Sequence, residues 1–172
     1  LLVSHHDQSY FEGLATIVRM YEREGVVSTE VLEPRVGAWE DPAQPGIREI
    51  RLFDVRTHQH TVLPLFPGVT ALVGDNDLGK SHAVVAALRA VAYGDSDDTI
   101  IRHRQPVARI EIVLEDGQEL HWTRRREGSP KVMYKLLKDA EVVAEGRAPA
   151  RGQVPEFARK ALGIAPLDDI DV

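Results

Sequence analysis

The chain has 172 residues, 43% of them hydrophobic, with Lys+Arg 21 against Asp+Glu 27 and no cysteine. That length can bury a real core and suits one domain with an appendage, while the missing thiols exclude a disulfide framework and any Cys-based zinc site. No apolar run approaches the ~20 residues of a membrane span and no secretory leader is visible, so a cytoplasmic protein without a membrane partner is expected.

In chain order, Ser9-x-x-Glu12 has the form of a capping box, and Tyr10, Phe11, Leu14, Ile17, Val18 and Tyr21 recur at helical spacing. The pattern predicts a helix from about Tyr10 to Glu24, closed by Gly25. A second short helix at Ser28-Thr29-Glu30, making a helix-turn-helix, is the alternative use of this region. His5-His6-Asp7 read as terminal polar residues, because adjacent side chains project in different directions and no further ligand accompanies them. Pro34, Gly37, Pro42 and Pro45 mark a linker. Residues 1–40 are thus expected to be a helical extension and linker, and 41–172 the main domain.

Beyond the linker the pattern turns to strands at Ile47–Asp54 and Thr61–Leu65, then an apolar run, Val69–Val73. A helix follows to about Tyr93, with Val84, Val85, Leu88, Val91 and Ala92 inward and Gly94 as its stop. Val107–Glu115 and Glu119–Arg126 form a hairpin about Asp116-Gly117; Lys131–Leu137 and Glu141–Ala144 form another about Lys138-Asp139. These hairpins define a β subdomain at about 105–145, and Pro155–Leu162 is a short closing helix. The fold class expected is α/β.

The chemistry concentrates between strand and helix, in Gly74-Asp75-Asn76-Asp77-Leu78-Gly79-Lys80-Ser81-His82. Gly74, Gly79, Lys80 and Ser81 fill every fixed position of G-x-x-x-x-G-K-[ST], the phosphate-binding loop. The glycines let main-chain N–H groups approach phosphate oxygens, Lys80 reaches the β- and γ-phosphates, and the Ser81 hydroxyl suits Mg²⁺. The start of the helix adds its positive dipole end. A P-loop NTPase binding ATP and Mg²⁺ is the expectation, with residues 74–82 as the nucleotide site, Lys80 as the catalytic side chain and Ser81 as the metal ligand.

Charge adds a second hint. Nine Lys/Arg lie between Arg102 and Lys138 against five acids, so that segment is +4 and the remainder −10. It reads either as a solvated hairpin face or as a patch facing nucleic acid or nucleotide, with Arg124-Arg125-Arg126 as a modest phosphate-tracking run.

Several stretches together resemble the N-terminal, phosphate-loop half of the ABC-type ATPase heads of the SMC/SbcC/RecF group. They are Asp54-Val55-Arg56-Thr57-His58, the loop itself, Ala86–Asp95, Thr99–His103, Ala108–Ile112 and Phe157-x-x-x-x-Leu162-Gly163-Ile164. The likeness covers about 47 to 172 and departs from the group's usual pattern at Asp77 and His82. It implies an ATPase that dimerises with a second head around ATP and couples hydrolysis to DNA binding or processing, with a nuclease subunit as a further partner. It also implies Arg56 close to the nucleotide, Asn76 reaching a second head, and Arg102 approaching the phosphates. The glutamine loop, the Ser-Gly-Gly-x signature and the apolar strand ending in Asp-Glu are not found; Ile112-Val113-Leu114-Glu115-Asp116 imitates the last but reads as a hairpin tip. The catalytic complement therefore belongs to other sequence. An ATPase tied to a metal-dependent nuclease of the OLD type, and a nucleotide-regulated assembly module without turnover, are the alternatives.

Overall fold

The computed structural model describes residues 2–4, 8–33, 46–76, 78–150 and 152–164, without the side chains of 8, 33 and 81–83. The expected linker at 34–45, the His5-His6-Asp7 run and Asp77 lie outside the described residues. Within them the fold is mixed α/β and mostly strand.

A four-stranded sheet has the order β1-β6-β2-β3, from β1 (Leu2–Val3), β6 (Thr70–Gly74), β2 (Thr16–Arg23) and β3 (Val26–Glu33). Both β1 and β2 run parallel to β6, whereas β2 and β3 form an antiparallel hairpin. A six-stranded, wholly antiparallel sheet has the order β10-β9-β8-β7-β4-β5. Its strands are β4 (Ile47–Val55), β5 (His58–Pro64), β7 (Val107–Leu114), β8 (Glu119–Arg125), β9 (Val132–Lys138) and β10 (Glu141–Arg147). The helices are α1 (Lys80–Tyr93) and α2 (Glu156–Ala161). No helix among the described residues is long and apolar enough to cross a membrane.

Across β4, β7, β8 and β9 the six-stranded sheet alternates, with irregularities only near its ends at Ile47/Glu49 and in β10 at Val142/Ala144. Register puts Leu52, Ile110, Trp122 and Tyr134 in one row across β4, β7, β8 and β9, and Ile50, Ile112, Leu120 and Leu136 in the next. All eight are buried in the main core with Val84, Ala87, Ala90 and Val91 of α1. The intervening residues, such as Arg51, Glu111, His121 and Lys135, share the opposite face. Tyr134 adds direction to this packing by donating its hydroxyl to the carbonyls of Ala90 (3.2 Å) and Val91 (3.3 Å).

The helix expected at 10–24 is a strand. Only a short 3₁₀ turn occurs, at Gln8–Tyr10, and Tyr10 and Leu14 of the presumed apolar stripe are 67% and 71% exposed. β2 is central, covered on both faces, so Ala15, Thr16, Ile17 and Val18 are all buried in a continuous run instead of alternating. Such a run carries no period to separate strand from helix. Gly25 ends no helix; with Glu24 it makes the two-residue hairpin turn, both at positive φ (53° and 78°), and β3 occupies the place of the alternative second helix. Instead of a helical extension, residues 16–33 are an integral part of the sheet that holds β6.

The two sheets meet at β3 and β5. Thr29 Oγ1 donates to the Val62 carbonyl, and Thr61 Oγ1 donates to the Val27 carbonyl at 2.9 Å.

Candidate phosphate-binding site

β6 ends at Gly74 and α1 begins at Lys80, so the G-x-x-x-x-G-K-S stretch is the strand-to-helix connection at the open end of the four-stranded sheet. Leu78 anchors it: the side chain is 7% exposed within the main core, while Asp75 and Asn76 are exposed. Lys80 is 3% exposed and lies across the loop, Nζ donating to the Gly74 carbonyl at 2.6 Å and to the Asp75 carbonyl. The N-cap of α1 is Gly79, which brings no capping side chain to the first-turn amides.

Both fixed glycines are required sterically. A Cβ at Gly74 would stand 2.2 Å from the Met20 carbonyl oxygen on β2. A Cβ at Gly79 (φ 75°) would stand 2.6 Å from Thr57 Oγ1 and 3.0 Å from His58 Nε2. One end of the loop is thus pressed by β2 and the other by the β4–β5 corner.

At that corner Arg56 has φ 51°, and its N–H donates to the Ile100 carbonyl at 2.8 Å. A non-glycine residue in this region of backbone space costs on the order of 1–3 kcal/mol and needs surrounding structure to hold it. The half-buried side chain lines a cavity of about 360 Å³ with Val85, Ala86, Arg89, Asp97 and Ile100, and among the described residues its Nε has no hydrogen-bond partner. Besides Arg56, the cavity's described lining comes from α1 and the 95–100 segment, none of it from the loop.

The remaining basic candidates have structural partners. Arg102 pairs with Asp54 at 3.8 Å. Arg124 bonds Asp98 at 2.8 and 3.0 Å and the Ser96 carbonyl at 3.2 Å. Arg126 donates to the carbonyls of Gln105 (2.9 Å) and Ile101 (3.0 Å), leaving Arg125 as the exposed member of the triplet. The arginine run therefore pins the 96–105 segment to β8. The imitation Asp-Glu strand is a hairpin tip as expected, Asp116 Oδ1 accepting from the Gln118 N–H at 3.0 Å.

Two groupings had no sequence signal. Glu111, Glu119 and His121 bring ligand atoms within 4.8 Å of one another. Arg109 lies 3.1 Å from Glu111, and Arg51 lies 3.4 Å from Glu111 and 3.5 Å from Glu119, so opposite charge already sits on the carboxylates. Glu111 and His121 face each other directly across the β7–β8 hairpin, with Glu119 two residues before His121, so the group is local in sequence and is brought together by the hairpin's register. The second grouping is His58 and Thr61, both buried, whose importance depends on Gly79 folding back onto them. Burial pushes the His58 imidazole below its ordinary value, the Gly79 backbone opposing the shift.

No protein-family model matches this chain, and no curated protein does. The chain is similar to a solved structure of the recombination mediator protein RecF with ATP, at a TM-score of 0.49 and 14% identity. The match covers 63% of this chain and 30% of that one, and a likeness so loose establishes neither fold family nor activity.

Proposed function

We propose that residues 74–81 hold the phosphates of ATP, and that 41–172, together with the β2–β3 hairpin that pairs with β6, form the ATP-binding half of an SMC/SbcC/RecF-type ATPase head. One observation carries the reading: the complete G-x-x-x-x-G-K-S motif falls at a strand-to-helix junction, its lysine opening the helix and its two glycines where the Met20 main chain and the Thr57 and His58 side chains leave no room for a Cβ. In this reading the main-chain N–H groups from Asp75 to Ser81 cradle phosphate oxygens, and Lys80 exchanges its carbonyl partners for the γ-phosphoryl oxygens. The glycine-floored cradle suits phosphate. For Mg²⁺ the chain offers the hydroxyl of Ser81, by residue type alone, and a bound Mg²⁺ supplies charge neutralisation between the β- and γ-phosphates. Asn76 is exposed, and by the family resemblance it is the residue that meets a second head.

Dimerisation around ATP and coupling to DNA rest on the family resemblance. By the same resemblance the general base comes from the complementary half of the head, so this segment alone is proposed to bind nucleotide and turn it over poorly. The decisive experiment titrates a fluorescent ATP analogue with Mg²⁺ into the wild-type chain and Lys80→Ala, with thermal melts of both. An affinity about ten- to a hundredfold weaker in the variant is expected, the worth of charge-assisted hydrogen bonds. Equal affinity removes the site.

A further inference from the structure

Beneath the loop lies a group that nucleotide contact does not use, and its role here rests on reading 74–81 as a phosphate loop. His58 is fully buried, the first residue of β5 after the corner. Its Nδ1 is 2.9 Å from Thr61 Oγ1, which in turn is 2.9 Å from the Val27 carbonyl oxygen. A carbonyl only accepts, so the Thr61 proton goes to Val27 and His58 Nδ1–H donates to Thr61. In the neutral ring Nε2 then carries no proton and makes no hydrogen bond of good geometry among the described residues, although the Gly79 backbone lies near enough to favour the protonated ring. That face of the ring is the one pressed against Gly79, 3.0 Å from where a Cβ would stand.

An ordinary core histidine closes its hydrogen bonds within the core and touches nothing in particular. His58 has one edge committed to β3 through Thr61 and the other set against the second glycine of the motif, where it leaves no room for a Cβ. The ring is rigid, so the distance from the Val27 carbonyl to Gly79 is set by two hydrogen bonds and one imidazole. The same hairpin supplies Met20, whose carbonyl sits against Gly74. β2 and β3 therefore reach the two ends of the loop separately.

We infer that His58 is a positioning residue for the phosphate loop, a strut that fixes Gly79 and the amides following it against the β3 main chain. The loop's pose then depends on Thr61 and Val27 as well as on its own sequence. Truncating either end of the strut loosens the loop before it loosens the core.

The test uses the full 172-residue chain with His58→Phe, which keeps a ring but no nitrogens, His58→Asn, which keeps a donor toward Thr61, and Thr61→Val. Three readouts are taken: amide hydrogen exchange, affinity for the Mg²⁺-bound ATP analogue, and melting temperature. In H58F and T61V the 75–80 amides are expected to exchange about tenfold faster, with β7 and β8 unchanged, and nucleotide affinity to fall about tenfold. The double variant is expected to be no worse than H58F, since both break one strut, and H58N to recover part of the loss. Should H58F fail to fold, H58N and T61V decide by the same readouts. Loop exchange equal to wild type, or a stability loss with no preference for the loop, overturns the inference. A wild-type chain that binds no nucleotide removes the ATP reading instead, and the exchange data then judge the strut alone.

Discussion

The two ends of α1 are held by opposite means. At its C-terminus the carbonyls are taken up: Gly94 and Asp95 donate N–H groups to Arg89, and Tyr134 donates its hydroxyl to Ala90 and Val91. At its N-terminus Gly79 brings no capping side chain, and the confinement is steric, from Thr57 and His58. An end with its hydrogen bonds closed serves the fold; an end hemmed in by shape, its first amides without a side-chain cap, can serve a ligand. The same polarity separates the arginines, committed to carboxylates and carbonyls around 96–105, from Lys80, whose Nζ donates to the loop's own carbonyls.

Substitutions can break this contrast. Gly79→Ala places a Cβ 2.6 Å from Thr57 Oγ1 in a backbone region that disfavours it, so a loss of about 2–3 kcal/mol by urea denaturation, together with loss of nucleotide binding, is expected. Gly94→Ala at the other end meets the Gln153 main chain at 2.9 Å, and about 2 kcal/mol is expected to go with nucleotide affinity unchanged. Equal effects on binding at both ends would erase the distinction. Tyr134→Phe removes one hydroxyl from the closed end, for about 1 kcal/mol by the same assay and no change in binding.

The smallest effect is one of pH. The folded-state pKa of His58 is depressed below its ordinary 6.5, so its neutral form contributes stability above pH 6.5 that is lost as pH falls toward the folded value. The melting temperature should start to drop below about pH 6.5 and that part of the slope should vanish in His58→Phe. Asp97, held low by the Thr99 side chain and N–H, and Asp98, held low by Arg124, act only in the more acid range below 3.8, which keeps the windows apart.

How much of this was legible varied with burial. The β7–β10 hairpins read clearly because one face of their sheet is polar, so alternation survives in Arg109, Glu111 and Val113 against Ile110, Ile112 and Leu114; the last turn lay one residue later than expected, at Asp139-Ala140, both at positive φ. α1 read clearly as a helix ending at its terminal glycine, but its buried face did not: Val85, expected inward, is 46% exposed, and Ala87 and Ala90 join Val84 and Val91 in the core instead. β2 did not, because burial on both faces removes the period and the helical stripe was a coincidence of Tyr10, Leu14 and Tyr21. The phosphate-loop motif was visible in sequence as residue types. The reasons for its glycines were not, since Met20 and His58 approach from strands far away in the chain.

Placing β6 between β1 and β2 also constrains how the molecule assembles. Thr16 pairs with Thr70 and Met20 with Gly74, so the hairpin made by residues 16–33 shows a bare edge until synthesis has passed residue 74. Parallel partners so distant close slowly, and an unpaired central strand is adhesive meanwhile. The loop at 74–80 is consequently expected among the late arrivals of folding, and nascent chains halted between β3 and β6 are the ones to watch for clumping.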